Sequence, residues 1–154
     1  MFERFAHSAR RTVQDALSEA GRRGDRRIGT DHLLLALLSD NAMAELVGVD
    51  AAVAHETIYQ LDRNALAAVG LRLTDFSHTA QRAHSTVSAS MTAGAKMVLK
   101  RSLANAAAEK AREISSRHIL LALLERSEPD PAAQLFSALP VDRSALAERV
   151  ARAV

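Results

Sequence analysis

Two stretches of this chain are variants of one another, and that duplication constrains the fold more than any other feature. Residues 28–40 read IGTDHLLLALLSD and residues 114–126 read ISSRHILLALLER. A single offset of 86 residues pairs Ile28 with Ile114, His32 with His118, Leu34 with Leu120, Leu35 with Leu121 and Leu38 with Leu124. The same offset continues upstream, where Ala9 meets Ala95, Arg10 meets Lys96, Val13 meets Leu99, Leu17 meets Leu103 and Ala20 meets Ala106. Those upstream positions recur at spacings of three and four, the period of one helix face. Repetition of this kind marks two copies of one supersecondary unit that bury a common core by stacking.

Each copy reads as four helices. The openers are amphipathic and run over about 6–21 and 92–112. The second helices, about 31–39 and 117–126, are apolar nearly all round, which places them at the centre. Thr30 and Ser116 stand where an N-cap is wanted. In the first copy a helix over 42–47 stops at Gly48, and Asp50 caps another over 51–61. In the second copy Asp130 caps a helix with Pro131 at its first position, and Asp142 caps the last, about 143–153. Between the copies, 62–70 and 74–84 read as two short helices, and the small, polar stretch 85–94 as a linker. The domain division is therefore unit one over about 1–61, an insertion and linker over about 62–91, and unit two over about 92–154. The predicted fold is all-α, a pseudo-twofold bundle of two four-helix units with an extra helical segment between them.

Composition sharpens this reading. Hydrophobic residues make up 48% of the 154 and aromatics only 3%, so the core is aliphatic. The chain has no cysteine, which rules out disulfides and thiolate chemistry and fits a reducing compartment. Neither LLLALL nor ILLALL approaches the roughly 20 apolar residues that span a bilayer. The MFERFAHSARR start is not a signal peptide. A cytoplasmic monomer is expected. The net charge is +2 and the pI about 9.5. The one concentrated basic run is Arg22, Arg23, Arg26 and Arg27. It reads as solvated surface, with a small helical nucleic-acid-binding regulator as the alternative function.

MFERF at 1–5, SARR at 8–11, IGTDHLLLALL at 28–38 and ISSRHILLALL at 114–124 together resemble the N-terminal domain of the Clp family of AAA+ unfoldases, most closely the ClpC type. The resemblance covers nearly the whole chain. It implies a non-enzymatic module that captures adaptors or tagged substrates for an unfoldase–protease machine, as an accessory or decoy, and that works with a Clp ATPase as partner. No G-x-x-x-x-G-K-S/T phosphate loop occurs, so the chain has no nucleotide-hydrolysing site of that kind. It looks like a stand-alone domain or a fragment of something longer. No cofactor is expected, and neither a G-x-S-x-G elbow nor any other nucleophile setting is present.

In the ClpC type the acid of each G-T-E-H motif helps bind phosphoarginine. A carboxylate grips the guanidinium as a fork, and a helix N-terminus receives the phosphate. Here Thr30 and Asp31 keep that pattern, whereas Ser116 is followed by Arg117, which repels a guanidinium. A carboxylate at this position also complements the helix dipole with no ligand at all. The resemblance further implies a docking face for macrocyclic peptides and partner proteins around Phe2, Met91 and Lys96. Met91 stands where the family has a second phenylalanine, and Phe2 has a competing role as an anchor of the chain end. His32 and His118 are equivalent, but no carboxylate or cysteine lies at ligand spacing. They are expected to hydrogen-bond within their own units and orient the turn before the helix.

Overall fold

The structure, a computed structural model, describes residues 2–72 and 90–153. A 3-10 turn, Phe2–Arg4, leads into α1 (His7–Arg23), α2 (Thr30–Leu38), α3 (Asn41–Val47) and α4 (Ala51–Ala68). The second unit contains α5 (Ala93–Ala108), α6 (Ser116–Leu124), α7 (Pro131–Ala138) and α8 (Arg143–Arg152). No strand forms among the described residues. The fold class is all-α, as the duplication predicts.

Apolar periodicity decides what is buried. Every residue of α2 is buried, and in α6 the buried set is Ser116, His118, Ile119, Leu120, Ala122 and Leu123. These two helices pack on one another at the centre, each covered by the opener of its own unit, α1 on α2 and α5 on α6. Ala9, Ala16 and Ala20 of α1 and Ala95 and Ala106 of α5 are almost wholly buried, and their small side chains let helix backbones approach closely. Full burial of each leucine contributes roughly 1.5–3 kcal/mol. With eleven leucines and isoleucines among the largest fully buried side chains, the interior is aliphatic, and Phe136 is the one aromatic in that set.

The two units are joined by a pair of matched crossings. Phe5 lies beside Ile114, and Ile28 beside Met91, each as an isolated parallel bridge. In the first crossing the Ala6 amide donates to Ile114 O and the Ile114 amide to Arg4 O, both at 2.9 Å. In the second, the Thr92 amide donates to Ile28 O at 2.9 Å and the Ile28 amide to Ser90 O at 3.0 Å. Phe5 and Met91 occupy equivalent positions of the repeat, as do Ile28 and Ile114. The crossings are therefore one contact seen twice, related by a pseudo-twofold axis. The openers also end alike: Gly24 (φ 74) and its counterpart Lys110 (φ 57) both adopt the left-handed conformation, which costs a lysine more than a glycine.

Several boundaries differ from those expected. The helices predicted over 51–61 and 62–70 are a single helix, α4, running to Ala68. Asp62 resembles a cap, but nothing around it interrupts the backbone, and Gly70 (φ 80) lies past the helix end. Thr30 and Ser116 are not N-caps. That position belongs to Gly29 and Ser115, and Thr30 and Ser116 are the first helical residues. Helix α5 ends at Ala108 instead of 112. The helix predicted over 74–84, and the linker residues 85–89, lie outside the described residues.

Candidate functional site

The start of α2 is organised by a histidine. The Gly29 amide donates to His32 Nδ1 at 2.8 Å, the return half of a capping box with the imidazole as acceptor and no N-cap side chain to complete it. With Nδ1 accepting, Nε2 is the donor, and it faces Asp25 Oδ2 at 2.8 Å. The second unit repeats the device: the Ser115 amide donates to His118 Nδ1 (2.9 Å), and His118 Nε2 faces Glu109 Oε2 (3.1 Å). Both imidazoles are buried. The expectation that these histidines orient their own turns holds. Among the described residues no cluster of three or more His, Cys, Asp or Glu could hold a metal. The first cap is crowded: a Cβ on Gly29 would sit 2.6 Å from Asp31 Oδ1, so a larger residue there would have to push that carboxylate aside.

Beside each imidazole lies an ion pair. Arg23 Nη1 donates to Asp31 Oδ2 at 2.6 Å, and Arg23 Nη2 to Asp62 Oδ2 of α4 at 3.0 Å. Asp25 stands 3.8 Å away. Burial acts to lower the Arg23 pKa, but the Asp31 hydrogen bond and the charges of Asp31, Asp62 and Asp25 outweigh it and hold the value above its usual range. In unit two, Arg117 pairs with Glu109 and also donates to Val150 O of α8 (3.1 Å). Burial acts to raise the Glu109 pKa, but hydrogen bonds from Arg117 and His118, with their charges, hold it below the usual carboxylate range. Asp31 and Arg117 are equivalent in the repeat, and so are Arg23 and Glu109. The ion pair is conserved between the two units with its signs exchanged.

Thr30 has a different role from the one its motif suggested. Its hydroxyl donates to Asp130 Oδ1 (2.8 Å) and accepts from the Ala132 amide (3.2 Å), tying the start of α2 to the start of α7 in the other unit. Asp130 also caps α7 and accepts from Arg126 Nε at 3.0 Å. Gly94 lets α5 close on this junction, since a Cβ there would lie 3.2 Å from Asp130 Oδ2 and 3.4 Å from Thr30 Cγ2. At Ser116 the link to the other unit runs through the backbone instead, its amide donating to Ser8 Oγ of α1 at 3.4 Å.

A cleft of about 910 Å³ opens where these parts meet, between the α1–α2 loop, the start of α2 and the 126–131 loop. Of the arginine run, Arg22 pairs with Glu19 (3.4 Å) and Arg23 with Asp31, while Arg26 and Arg27 line the cleft with no ion-pair partner among the described residues. Glu128 faces them from the opposite loop. The structure therefore brings Thr30 and Asp31 to one cleft and places Ser116 and Arg117 elsewhere, at the start of α6. Lys96 is exposed on α5, and Met91 is partly covered at the second crossing. Phe2 opens the 3-10 turn, and its side chain lies outside what the structure describes. Sequence reasoning missed Asp25, Asp62 and Glu109, and it gave Asp130 only as a helix cap and Arg23 only as part of the basic run. For Arg23 and Glu109 a signal was available, because both positions of the ion pair change sign together at the repeat offset.

Comparison with known proteins agrees with this architecture. The family model described as the Clp repeat (R) N-terminal domain matches residues 4–139. No curated protein sequence matches the chain significantly. Among solved structures, the N-terminal domain of the caseinolytic protease-associated chaperone ClpD from Arabidopsis thaliana is similar with a TM-score of 0.75 and 19% identity, over 98% of this chain and 97% of that one. A structure described as part of preliminary structural investigations of a malarial protein secretion system is similar with a TM-score of 0.67 and 17% identity, over 97% and 93%. The Hsp104 N-terminal domain from Candida albicans follows at 0.63 and 18%, over 97% and 91%. At these identities the likeness is one of fold.

Proposed function

The chain belongs to the Clp repeat N-terminal domain family, and from that premise we propose that it is a non-enzymatic module that captures protein partners for a Clp-type unfoldase. The partners are adaptors, tagged substrates or the ATPase itself. The module acts as a monomeric accessory or decoy in the cytoplasm. The observation that carries this reading is the cleft at the junction of the two units. Charged side chains of both signs line it, both units contribute walls, and it presents Arg26 and Arg27, which have no ion-pair partner among the described residues, beside a helix N-terminus. That chemistry suits an anionic group on a partner, phosphoarginine among the possibilities, with the phosphate received by amide groups and arginines. The face around Phe2, Met91 and Lys96 is a second docking surface in this reading, open to macrocyclic peptides.

The test uses the whole chain as immobilised bait in lysate of its own host, with the Arg26→Ala/Arg27→Ala double variant as a parallel bait. Capture of a Clp ATPase or adaptor by the parent chain, reduced at least fivefold in the variant, supports the assignment. Equal capture by both places binding away from the cleft, and capture of neither class by the parent removes the assignment altogether.

A further inference from the structure

The start of each unit's second helix contains the same three groups, assembled from different positions of the chain. In unit one, Arg23 supplies a guanidinium whose Nη1 lies 3.5 Å from His32 Nε2. In unit two, Arg117 supplies one whose Nη2 lies 3.5 Å from His118 Nε2. Arg23 comes from the end of α1, and Arg117 from the first turn of α6. Their repeat equivalents are Glu109 and Asp31, the carboxylates that hold the opposite guanidinium. A carboxylate also faces each imidazole, Asp25 in one unit and Glu109 in the other. Divergence of the two copies has thus changed which residue brings the guanidinium while keeping a guanidinium against carboxylate and imidazole.

We propose that Arg23 is an internal occupant of the first-unit seat, an autoinhibitory contact that a guanidinium-bearing partner must displace before it can engage Asp31. The proposal rests on the reading of the cleft as a partner-binding site. Two features make Arg23 an effective competitor. Its fork is held from two sides, by Asp31 at 2.6 Å and by Asp62 of α4 at 3.0 Å, and its side chain is only 22% exposed. It is also covalently tethered, so an incoming guanidinium competes with a high local concentration of the same group. In the second seat Arg117 belongs to α6 itself and also donates to the α8 carbonyl of Val150.

Calorimetric titration of phosphoarginine onto the parent chain, Arg23→Met, and Arg23→Met/Asp31→Asn tests this. Methionine keeps the apolar stem and removes the fork. The expected result is binding at least fivefold tighter to Arg23→Met than to the parent, with the gain abolished in the double variant. Equal or weaker binding to Arg23→Met, with the parent still binding, overturns the internal competitor and leaves the cleft reading intact. No binding to any of the three overturns the competitor and removes phosphoarginine as a ligand, while the lysate capture still decides partner binding. Should Arg23→Met fail to fold, the parent chain answers by NMR. The Arg23 Nε–H resonance must move as phosphoarginine is added, and a resonance unmoved at saturation overturns the proposal.

Discussion

At the scale of single residues, the duplication is a record of which positions tolerate exchange of chemistry. Glu19 of α1 is almost wholly buried and faces His55 Nε2 at 2.9 Å, while His55 Nδ1 lies 2.6 Å from Ala51 O. Its repeat equivalent is Asn105, whose Nδ2 is buried with no hydrogen-bond partner among the described residues. One copy has built a polar link between α1 and α4 that Asn105 does not repeat among those residues. A buried carboxylate deprived of its nearer partner retains much of its desolvation cost. His55→Ala leaves Glu19 only the exposed Arg22 at 3.4 Å and should therefore destabilise the fold by about 1–3 kcal/mol in urea denaturation. Glu19→Leu/His55→Ala should recover most of that loss, because the under-compensated carboxylate is removed as well. A double variant as unstable as the single one would show that His55 acts through packing alone. The sequence pointed to neither residue, since an exposed-looking glutamate and a scattered histidine acquire meaning only when two helices bring them together.

At the scale of helices, local chemistry was largely legible. Asp40, Asp50, Asp130 and Asp142 each cap the helix that follows, accepting from backbone amides two or three residues on. Those caps depend on neighbours in sequence, so a linear reading finds most of them. Where the reading failed, a distant partner had intervened. Thr30 was read as an N-cap, yet its hydroxyl is engaged by Asp130 and Ala132 of the other unit, and the capping is done by an imidazole three residues past Gly29. The same contrast predicts unequal costs for two identical substitutions. Asp142→Ala removes a single cap bond, from the Ala145 amide, and should cost about 1 kcal/mol. Asp130→Ala removes the α7 cap and also strands Thr30 and Arg126, and should cost about 3 kcal/mol. Chemical denaturation of the two variants side by side checks this, and equal costs would mean that the cross-unit link contributes nothing to stability.

At the scale of the whole molecule, the two units are not independent folds. The central helices α2 and α6 pack on one another, the openers reach across to the partner unit's central helix, and the backbone crossings at Phe5–Ile114 and Ile28–Met91 knit the entry of each unit to the other. Arg149 of α8 adds a cross-unit cap on the end of α3, donating to Leu46 O at 3.0 Å. A fragment of residues 1–72 should therefore show no cooperative thermal transition by circular dichroism when expressed alone. Mixing it with residues 90–154 should restore one. A fragment that melts cooperatively by itself would show that each unit closes its own core. From the sequence alone came the repeat, its helical period, the aliphatic interior, the caps and the family resemblance, because each depends on residues near in the chain or on a pattern repeated along it. Tertiary structure alone decided that Asp31 is engaged by Arg23, that Arg117 answers Glu109 with reversed charge, and that the cleft has walls from both units. Those ion pairs and cleft walls are settled by distances of about 3 Å between groups on different elements, and spacing along the chain does not encode them.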